Sequence, residues 1–343
     1  MTDGVFIFNF TSQIIKIKMN LQPQVITLKN SKGLEAEISN LGASLLSLIV
    51  LDKKNNPINV VVGLEKPEAY FGQEYLNNYN CLGASVGRWA GRISGGKIEI
   101  EGKEYPLYNE DGVHLHGGKE GFSKKYWNIE KLTKNSVTLS YVSVDLEEGY
   151  PGTLKVSVHY ELTENNALKI VYKATTDKTT PVNLTNHSYF NLEGYGSVLD
   201  HELELKSNKY VELNEKLLVT GNFIETNNTS YDFSDKSILG KEGFTGLDDV
   251  FVLNADASYK AVLSSSKTGI EMKVYTNQPT LVVYTPIQLP DLTYKNNANF
   301  TKYSAICFEA EAYPDAPNQS DFPSALLHPG ETYLNETIFE FSI

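Results

Sequence analysis

Positive charge is scarce in this chain and cysteine is nearly absent, and each shortage closes off a class of function. Lys and Arg total 30 against 42 Asp and Glu, leaving a net charge of −12 over 343 residues. Such a surface repels a polyphosphate backbone instead of collecting its counterions, so nucleic acid is not an expected partner. Two cysteines, Cys81 and Cys307, build neither a disulfide framework nor a thiolate metal cluster, which fits a reducing compartment and a cytoplasmic address. Long apolar runs are missing too. The nearest candidate, around Leu45 to Leu51, falls far short of the roughly 18 residues a membrane helix needs, so no membrane span is expected. At the start, Val5, Ile7, Phe8 and Phe10 follow Asp3 with no Lys or Arg before them. No small-residue cleavage site follows, so this stretch is not read as a signal peptide. Residues 1–18 are read as an N-terminal extension that the fold could do without, and 19–343 as one domain; a division near residue 175 stays open on pattern alone.

Helical periodicity is also lacking, since no segment shows an amphipathic pattern of twelve or more residues. The recurring period is two. Leu154, Val156, Val158, Tyr160 and Leu162 alternate with polar partners, Glu164-Asn165-Asn166 turns the chain, and Leu168, Ile170 and Tyr172 alternate again, which predicts an antiparallel hairpin. Similar alternation marks Lys97 to Glu101, Val137 to Val144, Ile270 to Tyr275, Leu281 to Tyr284 and Thr337 to Ile343. Many short strands without intervening helices argue against βαβ units and imply an all-β chain, with which a β-sandwich is compatible.

Chemistry has to come from particular residues. There are six histidines: His114, His116, His159, His187, His201 and His328. His116 directly precedes Gly117 and Gly118, where the backbone can take strained conformations and approach a ligand closely. His187 sits in Thr185-Asn186-His187-Ser188-Tyr189-Phe190-Asn191, a run too polar for an ordinary core strand. His114-x-His116 is also a metal-ligand spacing, because alternate residues share one strand face. No cysteine lies nearby and no third ligand is obvious, so no metal is expected. Taken singly, a histidine in a β protein is usually structural. Glu309 follows the apolar run Ala305 to Phe308, which places a carboxylate in or at the end of a buried strand. That requires either a structural partner or a role as a general base. There are two arginines, Arg88 and Arg92, both in Gly87-Arg88-Trp89-Ala90-Gly91-Arg92. A planar multi-donor fork where the chain otherwise uses Lys suits either hydroxyl recognition or a structural clamp.

These segments, with Glu148-Gly149-Tyr150-Pro151-Gly152, Asn183 to Leu192, Gly246-Leu247-Asp248, Tyr313-Pro314-Asp315 and His328-Pro329-Gly330-Glu331, resemble the galactose mutarotase family, the aldose 1-epimerases. The resemblance runs in order and at family-like spacing from about Met19 to Ile343. It implies the family's large antiparallel supersandwich with an open cleft, and a monosaccharide substrate. It also implies that Glu309 is the general base, His187 the general acid and His116 a second histidine at the sugar's reacting end, with Arg92 and Asp248 holding hydroxyls. The chain departs from the family in three places. Gly91 stands where many members carry Asn, Glu311 where many carry Gln, and Val283 where some place a sugar-contacting Gln.

Interconverting the anomers of an aldose takes a proton from the C1 hydroxyl and gives one to the ring oxygen, so it needs a base and an acid but no cofactor, metal or nucleotide. Reference values of about 4.3 for Glu and 6.5 for His would leave His187 mostly uncharged at neutral pH. The expectation is therefore that a nearby carboxylate, Glu309, lifts the His187 pKa and that the two titrate as a coupled pair. A sugar's apolar face calls for an aromatic platform, for which Tyr189, Phe190 and Trp89 are the local candidates. Two rival readings are a hexose-6-phosphate epimerase, which would need several cationic donors, and a carbohydrate-binding sandwich without catalysis.

Overall fold

The alternation read in the sequence is the alternation of two packed sheets. A computed structural model describes residues 22–343; the proposed extension at 1–18 lies outside the described residues. Leu154–Leu162 pairs with Ala167–Thr176 in the expected hairpin, with inward side chains at every second position. Its turn passes through Asn166 at φ 56°, a left-handed conformation that Asn tolerates better than most residues. The strands at Ser136–Ser143, Glu271–Thr276 and Thr280–Tyr284 fall within two residues of where the period placed them. Tyr333–Ser342 begins earlier than the expected Thr337, because Tyr333 to Glu336 pair with Ala174 to Val171 on the neighbouring strand. The sole α-helix among the described residues is five residues long, Gln73–Asn77.

Nine strands form one sheet, in the spatial order Asn128–Leu132, Ser136–Ser143, Leu154–Leu162, Ala167–Thr176, Tyr333–Ser342, Glu271–Thr276, Ala261–Ser264, Glu202–Leu205 and Ser237–Ile238. Six form a second, Tyr189–Phe190, Ile306–Glu311, Thr280–Tyr284, Asp248–Val252, Lys209–Leu213 and Val219–Glu225. Every ladder between these strands is antiparallel. The sheets meet through aromatic rings: Phe190 of the six-stranded sheet lies 4.7 Å from Phe339 of the nine-stranded one and 6.3 Å from its own sheet-mate Phe308. The apolar core so formed draws on residues from Ile26 to Phe341.

One strand of the smaller sheet decides where chemistry can occur. All six residues of Ile306–Glu311 are buried, but in two directions. Ile306, Phe308 and Ala310 join the core between the sheets. Cys307, Glu309 and Glu311 therefore point to the other side, the period of two leaving no alternative. Glu309 is opposite Val282 and Glu311 opposite Thr280, while Asp248 and Val250 on the next strand are opposite Tyr284 and Val282.

The two arginines part company here. Arg88 is fully buried and its fork is spent on the backbone. Its Nη1 donates to the Pro151 and Gly152 carbonyls at 3.0 Å each, and Nη2 to Ser143 Oγ at 2.6 Å and to the Ser143 and Val144 carbonyls. This clamps the Glu148-to-Gly152 motif under the loop that carries Arg92. Arg88→Met leaves buried carbonyls without donors and is expected to cost about 1–3 kcal/mol or more of stability, read as a lower urea midpoint. An unchanged midpoint would show the clamp to be dispensable.

Candidate active site

The outward face of Ile306–Glu311 forms the floor of a cavity of about 270 Å³ whose walls include Arg92, His116, His187, Tyr189, Asp248, Tyr284, Glu309 and Glu311. Each wall residue is fixed by its own piece of backbone. His187 follows the two-residue strand Thr185–Asn186; its N–H donates to the Ala84 carbonyl and its carbonyl accepts from Gly83 N–H, both at 2.9 Å. The polarity of this run is explained by buried bonds. Asn186 Nδ2 donates to the Gly83 carbonyl (2.9 Å) and Tyr160 Oη (3.1 Å), while Asn183 Nδ2 donates to the Ala90 carbonyl (3.1 Å) and its Oδ1 accepts from Ala312 N–H (2.8 Å).

His116 is held in a left-handed conformation, φ 49°. Its N–H donates to the Gly91 carbonyl at 3.1 Å, and its Nδ1 accepts from Gly91 N–H at 3.3 Å. With Nδ1 an acceptor, the neutral ring's proton is assigned to Nε2. The following glycine is required by space as well as by φ: a Cβ on Gly117 would stand 1.8 Å from the Gly87 carbonyl oxygen. The strained His-Gly-Gly turn expected from the sequence is thus present. Arg92 is positioned by a residue that sequence reasoning gave no separate role, Asp315, whose N–H donates to the Arg92 carbonyl and whose Oδ1 accepts from Ser94 N–H, both at 3.0 Å. Arg92 Nη2 lies 3.8 Å from Asp248 Oδ2.

All five residues expected at the site, Glu309, His187, His116, Arg92 and Asp248, therefore line one cavity. His187 Nε2 is 3.4 Å from Glu309 Oε1. The His187 ring stacks on Tyr189 with centroids 5.0 Å apart and meets His116 edge-on at 5.5 Å. Some expectations are corrected. Among the proposed platforms only Tyr189 lines the cavity; Phe190 and Trp89 are core residues, and Tyr284 and Tyr79 were missed. Val283 faces the core, since its neighbours Val282 and Tyr284 take the cavity side of the strand. His114 is no partner to His116. It is buried between the Tyr108 carbonyl (2.6 Å from Nδ1) and Tyr150 Oη (2.5 Å from Nε2), because His116 leaves the strand Val113–Leu115. Among the described residues, the group compact enough to share a cation is instead His116, His187 and Glu309, each with a ligand atom within 4.8 Å of the others.

Protonation also differs from expectation. Burial, helped by the nearby Asp248 carboxylate and opposed by Arg92, pushes Glu309 up to about 8. Burial pushes His187 down to about 4 and His116 well below its ordinary value, the latter aided by His187 and Arg92. Asp248 is raised by burial against the pull of Arg92. Desolvating both charges costs more than their attraction returns, so burial favours the neutral pair. The proton count is the same either way. A carboxylic acid beside neutral imidazole and a carboxylate beside imidazolium each hold one proton, and they differ by one transfer across 3.4 Å. At pH 6 the His187 ring is expected to show the ¹⁵N shifts of neutral imidazole, with a protonation midpoint near 4; a midpoint above 6 would mean that the ion pair dominates.

The aldose 1-epimerase family model matches residues 24–340. Galactose mutarotase of Bos taurus is 39% identical over 323 residues, covering 91% of this chain and 92% of its own. Aldose 1-epimerase of Escherichia coli is 32% identical over 333 residues, covering 93% and 95%. Among solved structures, an aldose epimerase homologue from C. elegans aligns with TM-score 0.87 at 29% identity over 93% of this chain and 99% of that one. Galactose 1-epimerase from Lactobacillus acidophilus aligns with TM-score 0.81 at 28% identity over 94% and 95%.

Proposed function

The chain belongs to the aldose 1-epimerase family and is an isomerase of that kind; from that premise we propose that Glu309 and His187 open and reclose the ring of a free aldohexose such as D-galactose or D-glucose. The observation that carries this reading is the 3.4 Å separation of His187 Nε2 and Glu309 Oε1 at the floor of one cavity.

In the closed-ring complex, Glu309 as carboxylate accepts the proton of the C1 hydroxyl while imidazolium at His187 gives one to the ring oxygen. The bond from C1 to the ring oxygen breaks and C1 becomes an aldehyde carbon. The site is then left with a carboxylic acid and a neutral imidazole, the form that burial favours. Preference for the neutral pair therefore favours the open-chain stage, and sugar hydroxyls arriving as hydrogen-bond partners favour the charged form at the closed-ring stage. Rotation about the C1–C2 bond presents the other face of the aldehyde, and the same two transfers in reverse close the ring. His116 Nε2–H is a neutral donor for the reacting end, and Arg92 and Asp248 bind hydroxyls on the remaining rim. Each positioned proton-transfer group is worth about 10² to 10⁴ in rate.

The hexose-6-phosphate reading fits poorly. Among the lining residues Arg92 is the sole Lys or Arg, facing Asp248, Glu309 and Glu311, and a dianion would meet more carboxylates than cations. A binding module without catalysis would have no reason to bury an acid/base pair at its floor. We read the cytoplasm as the address from the two buried free thiols, Cys81 and Cys307, which suit a reducing compartment.

Polarimetry of freshly dissolved α-D-galactose and α-D-glucose, with α-D-glucose 6-phosphate as control, is expected to show accelerated anomer exchange for the free sugars. Glu309→Gln and His187→Asn are each expected to lower turnover at least about a hundredfold while remaining folded; near-native turnover in Glu309→Gln would move the base elsewhere. The working pair holds one proton. Below about 4 both groups are protonated and no base remains, and above about 8 none is left for the ring oxygen. kcat/KM is therefore expected to rise through the first value and fall through the second, and a profile still rising above pH 9 would contradict the assignment.

A further inference from the structure

One buried group at the cavity has no task in that chemistry. Glu311 lies two residues beyond Glu309 on the same strand face, is 1% exposed and lines the cavity. Its Oε1 has no hydrogen-bond partner within the described protein, a state that buried polar atoms in folded proteins seldom keep unless a ligand completes it. The residue beside it is Gly91, φ 73°, where a Cβ would come within 3.1 Å of Glu311 Oε1 and 3.4 Å of Pro314 Cβ. The two positions read in the sequence as departures from the family pattern, Gly91 and Glu311, are thus neighbours in space, and the missing Cβ at Gly91 leaves room beside Glu311 Oε1.

The charged neighbours decide what form this carboxyl takes. Acting on Glu311 are Glu309 on its own strand, Arg92 and Asp248 across the cavity, and the Tyr333 hydroxyl from the sheet behind. Arg92, the one cation, is already shared with Asp248. Carboxyls two residues apart on a strand are about 6 to 7 Å from one another, and in a buried site two such groups do not both ionise readily. Glu309 is the one whose charge the ring opening uses. Glu311 then stays an uncharged acid, in line with the upward push it receives from burial first and from Glu309 second.

We propose that Glu311 is a further substrate-binding residue of this site, working as a neutral carboxylic acid whose O–H donates a hydrogen bond to a hydroxyl of the aldose. The assignment rests on the mutarotase reading and adds one contact and one protonation state to it. It makes Glu311 equivalent to Gln in function, since both present a neutral donor at the same reach.

The test is polarimetric, on wild type, Glu311→Gln and Glu311→Leu, with D-galactose and its 2-, 3-, 4- and 6-deoxy analogues. Glu311→Gln is expected to keep kcat/KM within about threefold of wild type, with the upper pH limb in place. Glu311→Leu is expected to raise KM about 10- to 100-fold, as a site does when one partner of a buried hydrogen bond is removed. One deoxy analogue should lose a comparable factor with wild type and lose nothing further with Glu311→Leu. A Leu variant with native KM, or additive losses for every analogue, would overturn the contact. A Gln variant whose upper limb falls by about one unit would show Glu311 to be charged and overturn the protonation state. Circular dichroism verifies the fold of each variant, and should Glu311→Leu not fold, Glu311→Met takes its place in the analogue series. Absence of acceleration by wild type would instead strike at the mutarotase reading itself.

Discussion

A single proton, held between a carboxyl and an imidazole that the fold has taken out of water, is the constraint on which the site depends. Neither group can carry charge comfortably where it lies, so burial drives Glu309 up and His187 down. Their neutral pairing across 3.4 Å still keeps one proton, the number that the proposed acid/base work on a hemiacetal requires. Exposure to water would return each group toward its ordinary value and, near neutrality, favour a bare carboxylate with no proton close by. The enclosure is therefore part of the chemistry.

That enclosure comes from the alternation of one strand. Phe308 and Ala310 fill the core between the sheets, and Glu309 and Glu311 consequently share the opposite face. The same alternation sends Val283 inward while Val282 and Tyr284 face the cavity. A shift of one residue in register would exchange the two sets, placing the carboxyls of Glu309 and Glu311 in the core and the phenyl ring of Phe308 with the methyl group of Ala310 on the cavity floor. Packing of the phenylalanines between the sheets and placement of the carboxyl groups are thus one fact seen from two sides.

The arginines show how far residue type alone can be read. Their rarity marked both Arg88 and Arg92 as places where a planar fork is needed, and in both it is used. Arg88 spends its fork on carbonyls of buried loops, whereas Arg92 faces Asp248 across the cavity. Nothing in Gly87-Arg88-Trp89-Ala90-Gly91-Arg92 distinguishes the clamp from the rim residue. The difference lies in contacts with residues more than fifty positions away. His114 and His116 divide in the same manner, one satisfied by Tyr108 and Tyr150, the other turned into the cavity by the left-handed turn that Gly117 makes possible.

By itself the sequence determined the all-β class, the hairpin at Leu154 to Tyr172, the buried carboxyl at Glu309 and, through ordered motifs, the family and five residues that line one cavity. These are local properties, set by a period of two, by turn residues and by residue types at fixed spacing. Tertiary structure alone decided that Tyr284 and Tyr79, not Phe190 or Trp89, line the cavity, that Val283 belongs to the core, and that Gly91 lies beside Glu311. It also decided the direction in which the Glu309 and His187 proton affinities move, because the cost of removing charge from water depends on everything that surrounds the groups, and those surroundings are assembled from strands far apart along the chain.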